Sequence, residues 1–197
     1  MVTKTRGQVS EARTRLLATA TRIFYAEGVH SVGIDRIVAE AEVTRATLYR
    51  HFSSKDELVV AYLQGVAEME REGIEKALTS GLPAADILRA IAKSIAGGIR
   101  SARFRGCAFI NAAAEFPDPE HPVHQVVLAH REWFLCAVTD QFGQVGETSP
   151  EPAGRHFMML RDGAMASGCL SDPAEVCDTF LQGVEGVLRH RMTFASK

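Results

Sequence analysis

The chain has 197 residues, with 22 Lys/Arg against 24 Asp/Glu and a formal net charge of −2, so composition alone does not point to nucleic acid, and the length suits one larger domain or one small and one medium domain. No apolar run approaches the roughly 20 residues needed to cross a bilayer and no secretory h-region opens the chain, so a soluble, cytoplasmic protein is expected. Cys107, Cys136, Cys169 and Cys177 are irregularly spaced with no CxxC pair, which argues against a disulfide framework and against a zinc site.

The first well-marked pair of elements lies between Val32 and Leu58. Ile34, Ile37, Val38 and Ala41 recur at i, i+3, i+4 and i+7, one stripe of an amphipathic helix, and Leu48 and Phe52 give an inward pair on the next. Only Ala41, Glu42, Val43 and Thr44 separate the two. A helix braced against a second across so short a turn forms a helix-turn-helix, in which the start of the second helix meets base edges in the major groove. The residues at that start are Thr44, Arg45 and Thr47. Arginine donates two hydrogen bonds to guanine O6 and N7, and threonine offers a hydroxyl to a base or phosphate and a methyl to thymine. Tyr49, Arg50, His51 and Lys55 are then expected on phosphates. Ser54-Lys55-Asp56-Glu57 reads as a capping box, which sets Lys55 at a helix start whose unpaired N–H groups also favour an anion. The same pattern fits a short helical hairpin with solvated polar residues. Residues 1–60 carry nine Lys/Arg against seven Asp/Glu, and residues 61–197 thirteen against seventeen, so the basic excess lies at this end. Lys4, Arg6, Arg13 and Arg15 form either a loose arm along a DNA backbone or a solvated tail.

The order of residues in this segment resembles the tetracycline-repressor (TetR) family of transcriptional regulators. Leu16-Leu17-Ala18-Thr19-Ala20 and Ile23-Phe24-Tyr25-Ala26-Glu27-Gly28 are similar to that family's opening helix and its terminal glycine. The likeness continues through Ile37-Val38-Ala39-Glu40-Ala41, Val43-Thr44-Arg45-Ala46-Thr47-Leu48-Tyr49 and His51-Phe52 to Ser54-Lys55-Asp56-Glu57-Leu58. It covers roughly the first third of the chain and is far more specific than a bare helix-turn-helix. Two positions depart from the pattern. Glu42 stands where the family usually has glycine, so either this residue adopts a positive φ at some cost or the turn differs. Asp35 stands near the DNA-facing start of the chain's second helix, where many members carry a basic residue. The resemblance implies a DNA-binding domain over residues 1–54 and, over residues 55–197, a domain that binds a small-molecule effector and pairs two chains.

Beyond the head, helical periodicity dominates and nothing alternates as a strand does. An all-α fold is expected, a three-helix head followed by a helical bundle, with about nine helices, the number the resemblance also implies. Residues 55–79 make one helix on the order of 37 Å long, ended by Leu82-Pro83, with Gly65 and Gly73 as soft points. Residues 84–100 follow, with Ile87, Leu88, Ile91, Ile95 and Ile99 inward, then a short apolar helix at 107–115 and a stiff link with three prolines over residues 116–122. Residues 123–144 carry Val127, His130 or Arg131, Phe134 and Val138 on one side. After a loop marked by Gly146 and Pro150, the last helices span about 153–167 and 173–192, the latter opened by an Asp172 N-cap, Pro173 and Glu175.

On those last two helices, Phe157, Leu160, Ala164 and Ser167, and Val176, Phe180, Val184, Val187 and Arg191, form apolar stripes, with Gly163, Gly168, Gly183 and Gly186 allowing close backbones. The stripes either close the chain's own core or pair two copies. The resemblance implies a homodimer through a four-helix bundle, which puts Phe157, Leu160, Ala164, Phe180, Val184 and Val187 at the interface. It also implies an effector cavity, for which Phe104, Phe109, Trp133, Phe134, Met158 and Met159 are candidate apolar walls and Asn111 and Glu115 candidate polar anchors. Each of these also fits plain core. Glu115, after three alanines, is costly to bury without a partner. His121, His124 and His130 invite a metal reading, but His121 precedes a proline and the other two lie on different helix faces, so no metal is expected. Arg103 and Arg105 stand beside Cys107, which leaves a redox-active thiol beside the expected structural one.

The reading is a ligand-responsive DNA-binding repressor, a homodimer on a palindromic operator released by a small molecule, with no cofactor. No nucleophile elbow, P-loop, dinucleotide fingerprint or zincin motif supports an enzyme. A helical protein-interaction adaptor, or a redox- or metal-sensing regulator, is the alternative; the adaptor predicts no salt-dependent affinity for duplex DNA.

Overall fold

The computed structural model describes residues 10–146 and 150–192, with side chains to residue 189. Lys4 and Arg6 of the expected arm, and the Arg191 side chain, lie outside the described residues. Among these residues all regular structure is helical: α1 (Glu11–Glu27), α2 (Ile34–Glu40), α3 (Arg45–His51), α4 (Lys55–Leu78), α5 (Ala84–Ile99), α6 (Ala108–Glu115), α7 (Pro122–Gln144), α8 (Glu151–Ser167) and α9 (Pro173–Met192). The all-α expectation, a three-helix head with a bundle behind it, is met. Among the described residues no helix is long and apolar enough to cross a membrane.

Local chemistry sets the head. Leu16, Ala20, Ile23 and Phe24 form the buried stripe of α1. The helix stops at Gly28, whose φ of 86° is open to glycine without a Cβ clash and whose N–H closes on the Phe24 carbonyl at 3.0 Å. In the turn between α2 and α3, the amides of Ala41, Glu42 and Val43 donate to the carbonyls of Ile37, Ala39 and Val38 at 2.9, 3.2 and 3.0 Å. That closure puts Glu42 at φ 53°, a left-handed conformation costing roughly 1–2 kcal/mol for a residue with a Cβ. Of the two options open to this non-glycine, the chain takes positive φ. Thr44 caps α3, accepting from the Thr47 amide at 3.1 Å, and Ser54 caps α4, accepting from the Glu57 amide at 3.1 Å. The Glu57 carboxylate accepts from the Ser53 amide at 2.5 Å, one residue before the amide a regular capping box uses.

α4 runs unbroken for 24 residues, passing through Gly65 and Gly73 without interruption. α8 begins at Glu151, ahead of the expected residue 153, because Pro150 and Pro152 sit around its first turn, where a missing N–H costs nothing. A Cβ on Gly154 would lie 2.0 Å from Thr139 Oγ1, so glycine is what lets α8 approach α7 this closely.

Apolar side chains gather into two clusters. One joins Leu16, Ile23, Ile37, Leu48 and Phe52 of the head to Leu58, Tyr62 and Leu63 of α4, to Phe109 and Ala112 of α6 and to Val123 and Val127 of α7. The other joins Ile74 at the far end of α4 to α5, the rest of α7, α8 and α9 around Phe134, Phe142, Phe157 and Phe180. The first cluster therefore runs straight across the 54/55 border. The front of α4 and the inward side of α6 share the head's core.

Candidate nucleic-acid interface and effector cavity

The exposed side of α3 carries Thr44, Arg45, Thr47, Tyr49 and Arg50, with His51 half-buried at its end. Thr44 and Thr47 share a hydroxyl contact of 2.9 Å, and Arg50 reaches the Thr47 hydroxyl at 3.4 Å. Arg45 is engaged by Asp35 of α2, its Nε donating to Oδ1 at 2.5 Å and its Nη2 to Oδ2. That pair holds the Asp35 carboxyl below its usual pKa. His51 Nε2 lies 3.2 Å from the Ser10 hydroxyl, and the Arg13 guanidinium sits 5.1 Å over the Phe52 ring. Arg22 and Arg36 are met by Glu40 and Glu27. Lys55, expected on a phosphate, points elsewhere: its ammonium is half-buried and donates to the Val29 carbonyl at 2.7 Å, and burial pushes its pKa down. One of its three N–H donors is thereby committed to the α1–α2 loop.

Three polar clasps cross the seam between head and body. Lys55 to Val29 is one. Glu115, at the end of α6, makes the second: its carboxylate accepts from the Val29 amide at 2.8 Å and the His30 amide at 2.5 Å. This corrects the expectation of Glu115 as an effector anchor, since the half-buried acid's partners are two N–H groups of the α1–α2 loop. Tyr25 makes the third, donating to the Gly106 carbonyl and accepting from the Arg105 amide, both at 3.0 Å. Burial raises the pKa of that phenol.

Behind the seam, α4, α5, α7 and α8 line a half-open cavity of about 370 Å³ walled by Met69, Ile74, Ile91, Ile95, Phe134 and Met165. Its charged lining is Glu70 and Arg161. Arg161 is 2% exposed, and it faces the Cys107 sulfur at 3.6 and 3.7 Å, Asp162 at 3.1 Å and Glu70 at 3.5 Å, with the Phe134 ring 5.1 Å away. Burial opposes its charge, but Cys107, Glu70 and Asp162 outweigh that and raise its pKa. His130, also buried, stacks on Phe109 at 3.8 Å and sets Nε2 3.1 Å from Glu70, without the alignment of a hydrogen bond.

Of the candidate effector walls, only Phe134 lines this cavity. Phe109 and Met158 are core, and Phe104 packs on the end of α8 at Gly168. Trp133 is half-buried beneath the Arg71 guanidinium at 5.0 Å. Asn111 is exposed and donates to the Arg105 carbonyl at 2.9 Å, while Met159 is 71% exposed on the opposite side of α8. The three histidines of the metal reading separate, His121 toward Asp56, His124 to the Phe116 carbonyl and His130 to Glu70. Cys107 meets Arg161 rather than the neighbouring arginines, and Cys177 is buried, which raises its pKa. Glu70 and Arg161 carried no signal in the sequence beyond being charged residues on otherwise apolar stripes.

The outward side of α8 and α9 forms a groove of about 420 Å³ lined by Met159, Leu160, Gly163, Ala164, Val176 and Phe180. Phe157 and Val184, expected at an interface, belong to the chain's own core: Phe157 is fully buried between Phe134, Phe142 and Phe180, with ring centroids 6.2–6.4 Å apart. Phe180 is also buried and floors the groove, Val187 is half-buried, and Gly168 and Gly183 admit Ile99 and Leu160 of the same chain.

Comparison with known proteins places this geometry. Residues 16–62 match the model of bacterial regulatory proteins of the tetR family. The activator FasR of Mycolicibacterium smegmatis is 41% identical over 68 residues, 34% of this chain and 31% of that protein, and the regulator TtgR of Pseudomonas putida is 38% identical over 34% and 32%. The chain thus spans about a third of the length of the curated relatives it matches. The crystal structure of SCO4454, a TetR-family transcriptional regulator from Streptomyces coelicolor, is 64% identical, covering 92% of this chain and 96% of that one with a TM-score of 0.90. The fold also recurs at 19% identity in the reduced form of NemR from E. coli, with a TM-score of 0.79 and coverage of 90% and 97%. With the helix-turn-helix, the whole-chain fold and that degree of identity in agreement, the chain belongs to the TetR family of DNA-binding transcriptional regulators.

Proposed function

We propose that the protein is a ligand-responsive repressor. A homodimer joined through the α8–α9 groove sets two α3 helices on a palindromic operator, and a small molecule in the α4–α5–α7–α8 cavity releases it. Residues 1–54 recognise DNA and residues 55–197 sense and pair. Arg45, Thr44 and Thr47 read base edges; Tyr49, Arg50 and His51 hold phosphates. The role is binding rather than turnover, exerted where the operator lies, in the cytoplasm. Half-sites lie about one helical turn apart, roughly 34–36 Å, or a small multiple of this.

The observation that carries this reading is the double duty of α4. Met69, Glu70, Gly73 and Ile74 wall the cavity, and Lys55 at the start of the same helix is hydrogen-bonded to the α1–α2 loop. A ligand that spreads the cavity tilts α4, and the head follows. It shifts the equilibrium only by its differential affinity for the two tilts, and the effect is reciprocal: operator weakens effector by the factor with which effector weakens operator.

The test recovers the operator by selection from random duplexes and titrates it by fluorescence anisotropy with and without fractions of a metabolite extract. Trp133, the single tryptophan, reports occupancy through its emission. Ile95→Trp, which fills the cavity from its wall, blunts the ligand response and leaves operator affinity nearly intact. An operator bound one to one by monomer, or affinity insensitive to salt, removes the reading.

A further inference from the structure

We propose that the cavity takes an amphipathic monoanion, a compact apolar body bearing one carboxylate, with Arg161 as the partner of that carboxylate. The proposal rests on the effector-cavity reading above and names the ligand's class. Ile74, Ile91, Ile95 and Phe134 offer the ligand no hydrogen bond and Ser94 is the one hydroxyl in the lining, so the body that fills this space is mainly apolar. The chemistry at its charged end is set by Arg161.

That guanidinium is 2% exposed, and its acceptors are poor or shared. Its Nη1 and Nη2 both face the Cys107 sulfur, at 3.7 and 3.6 Å, and sulfur is a weak acceptor. Asp162, which accepts from Nη1 at 3.1 Å, is already held at two points by Arg131 at 3.2 and 2.6 Å. Glu70 stands 3.5 Å away and is shared with His130. Nε has no partner at all. A planar fork whose acceptors are a weak sulfur and two shared carboxylates, at a cavity wall, is matched by a ligand carboxylate, which accepts two parallel charge-assisted bonds. A cationic ligand meets the opposite situation, since Arg161 repels it and Glu70, its one attraction in the wall, already answers Arg161 and His130. Glu70, whose side chain is 34% exposed, is the ligand's competitor for the guanidinium.

The experiment uses three probes with one tail and three head groups, octanoate, octanol and octylamine, titrated calorimetrically into the full chain, with operator affinity measured on the same samples. Octanoate is expected to bind about tenfold more tightly than either other probe, in proportion to one charge-assisted pair. Arg161→Gln brings octanoate down to the level of octanol while octanol binding persists, and Glu70→Gln tightens octanoate several-fold. Octylamine as the tightest probe, or an octanoate preference unchanged in Arg161→Gln, overturns the proposal. Should Arg161→Gln fail to fold, the Glu70→Gln arm decides alone, and no tightening there is an overturning result. Octanol bound in preference to octanoate leaves the cavity reading standing and removes the anion. A chain that binds operator and none of the three probes loses both.

Discussion

Asp35 on α2 holds Arg45 on α3 by two of its nitrogens, so the arginine expected to read guanine is occupied before DNA arrives. Both side chains are mostly exposed, so solvent screens the pair and leaves little net stability in it, whereas a bidentate arginine–guanine contact discriminates by about 1–3 kcal/mol. The exchange is favourable on guanine and unfavourable elsewhere. Arg45→Ala should therefore cost about 1–3 kcal/mol of operator affinity and flatten the preference at one base pair. Asp35→Ala should raise affinity for every duplex while narrowing the gap between operator and random DNA, as read by competition binding. Unchanged discrimination in Asp35→Ala would make the ion pair a bystander.

Glu115→Ala leaves the Val29 and His30 amides without their carboxylate. Hydrogen bonds to a charged group are worth about 1.5–3 kcal/mol, so chemical denaturation should show a loss near the lower end, the site being part-exposed. The more specific outcome is in coupling: effector affinity stays, and the factor by which effector weakens operator shrinks toward one. Lys55→Met, by the same geometry, should leave the salt dependence of DNA binding almost unchanged, because its ammonium is held by Val29 and not by phosphate.

Leu160 and Phe157 lie on the same helix and should fail in different ways. Leu160→Asp places a charge on the outward groove and should yield folded monomer by sedimentation, with operator affinity reduced. Phe157→Ala, fully buried, should cost about 3–5 kcal/mol and lower the midpoint of unfolding without a change of mass. A dimer that survives Leu160→Asp sends the interface to another face.

The head was readable because its determinants are near neighbours in sequence. Thr44 caps Thr47 and Ser54 caps Glu57, each three residues apart, and Leu48 and Phe52 bury one turn apart. The cavity was not readable, because Glu70 and Arg161 meet from helices far apart in the chain and neither makes a motif. Glu115 was misplaced for a different reason: its partners are backbone N–H groups, which every residue but proline carries, so no side-chain pattern announces them. Phe157 and Val184 show the limit of periodicity. It finds an apolar stripe on α8 or α9, but does not say whether the chain or a second copy covers it.

Glu42→Gly should relieve the left-handed strain in the turn. The glycine loses more freedom on folding, so the net gain is about 1 kcal/mol at most. Glu42→Val, β-branched at the same φ, should lose more than that and displace α3, weakening operator binding in proportion. Denaturant midpoints and anisotropy on the two variants measure both effects. Equal stability in all three proteins would mean that the turn relaxes around any residue.

All three clasps at the seam grip main chain on one side: Glu115 takes amides, Lys55 a carbonyl, and the Tyr25 hydroxyl both kinds. The side chains at Val29 and Arg105 are therefore spectators to those bonds, whereas His30 also sets Nδ1 3.4 Å from Glu115 and Gly106 holds a φ of 84°. The reading surface of the head and the walls of the cavity can diverge independently over generations, each adapting to a new operator or a new signal, while the joint that links them rests on a handful of positions, with Gly28 and Gly106 among them.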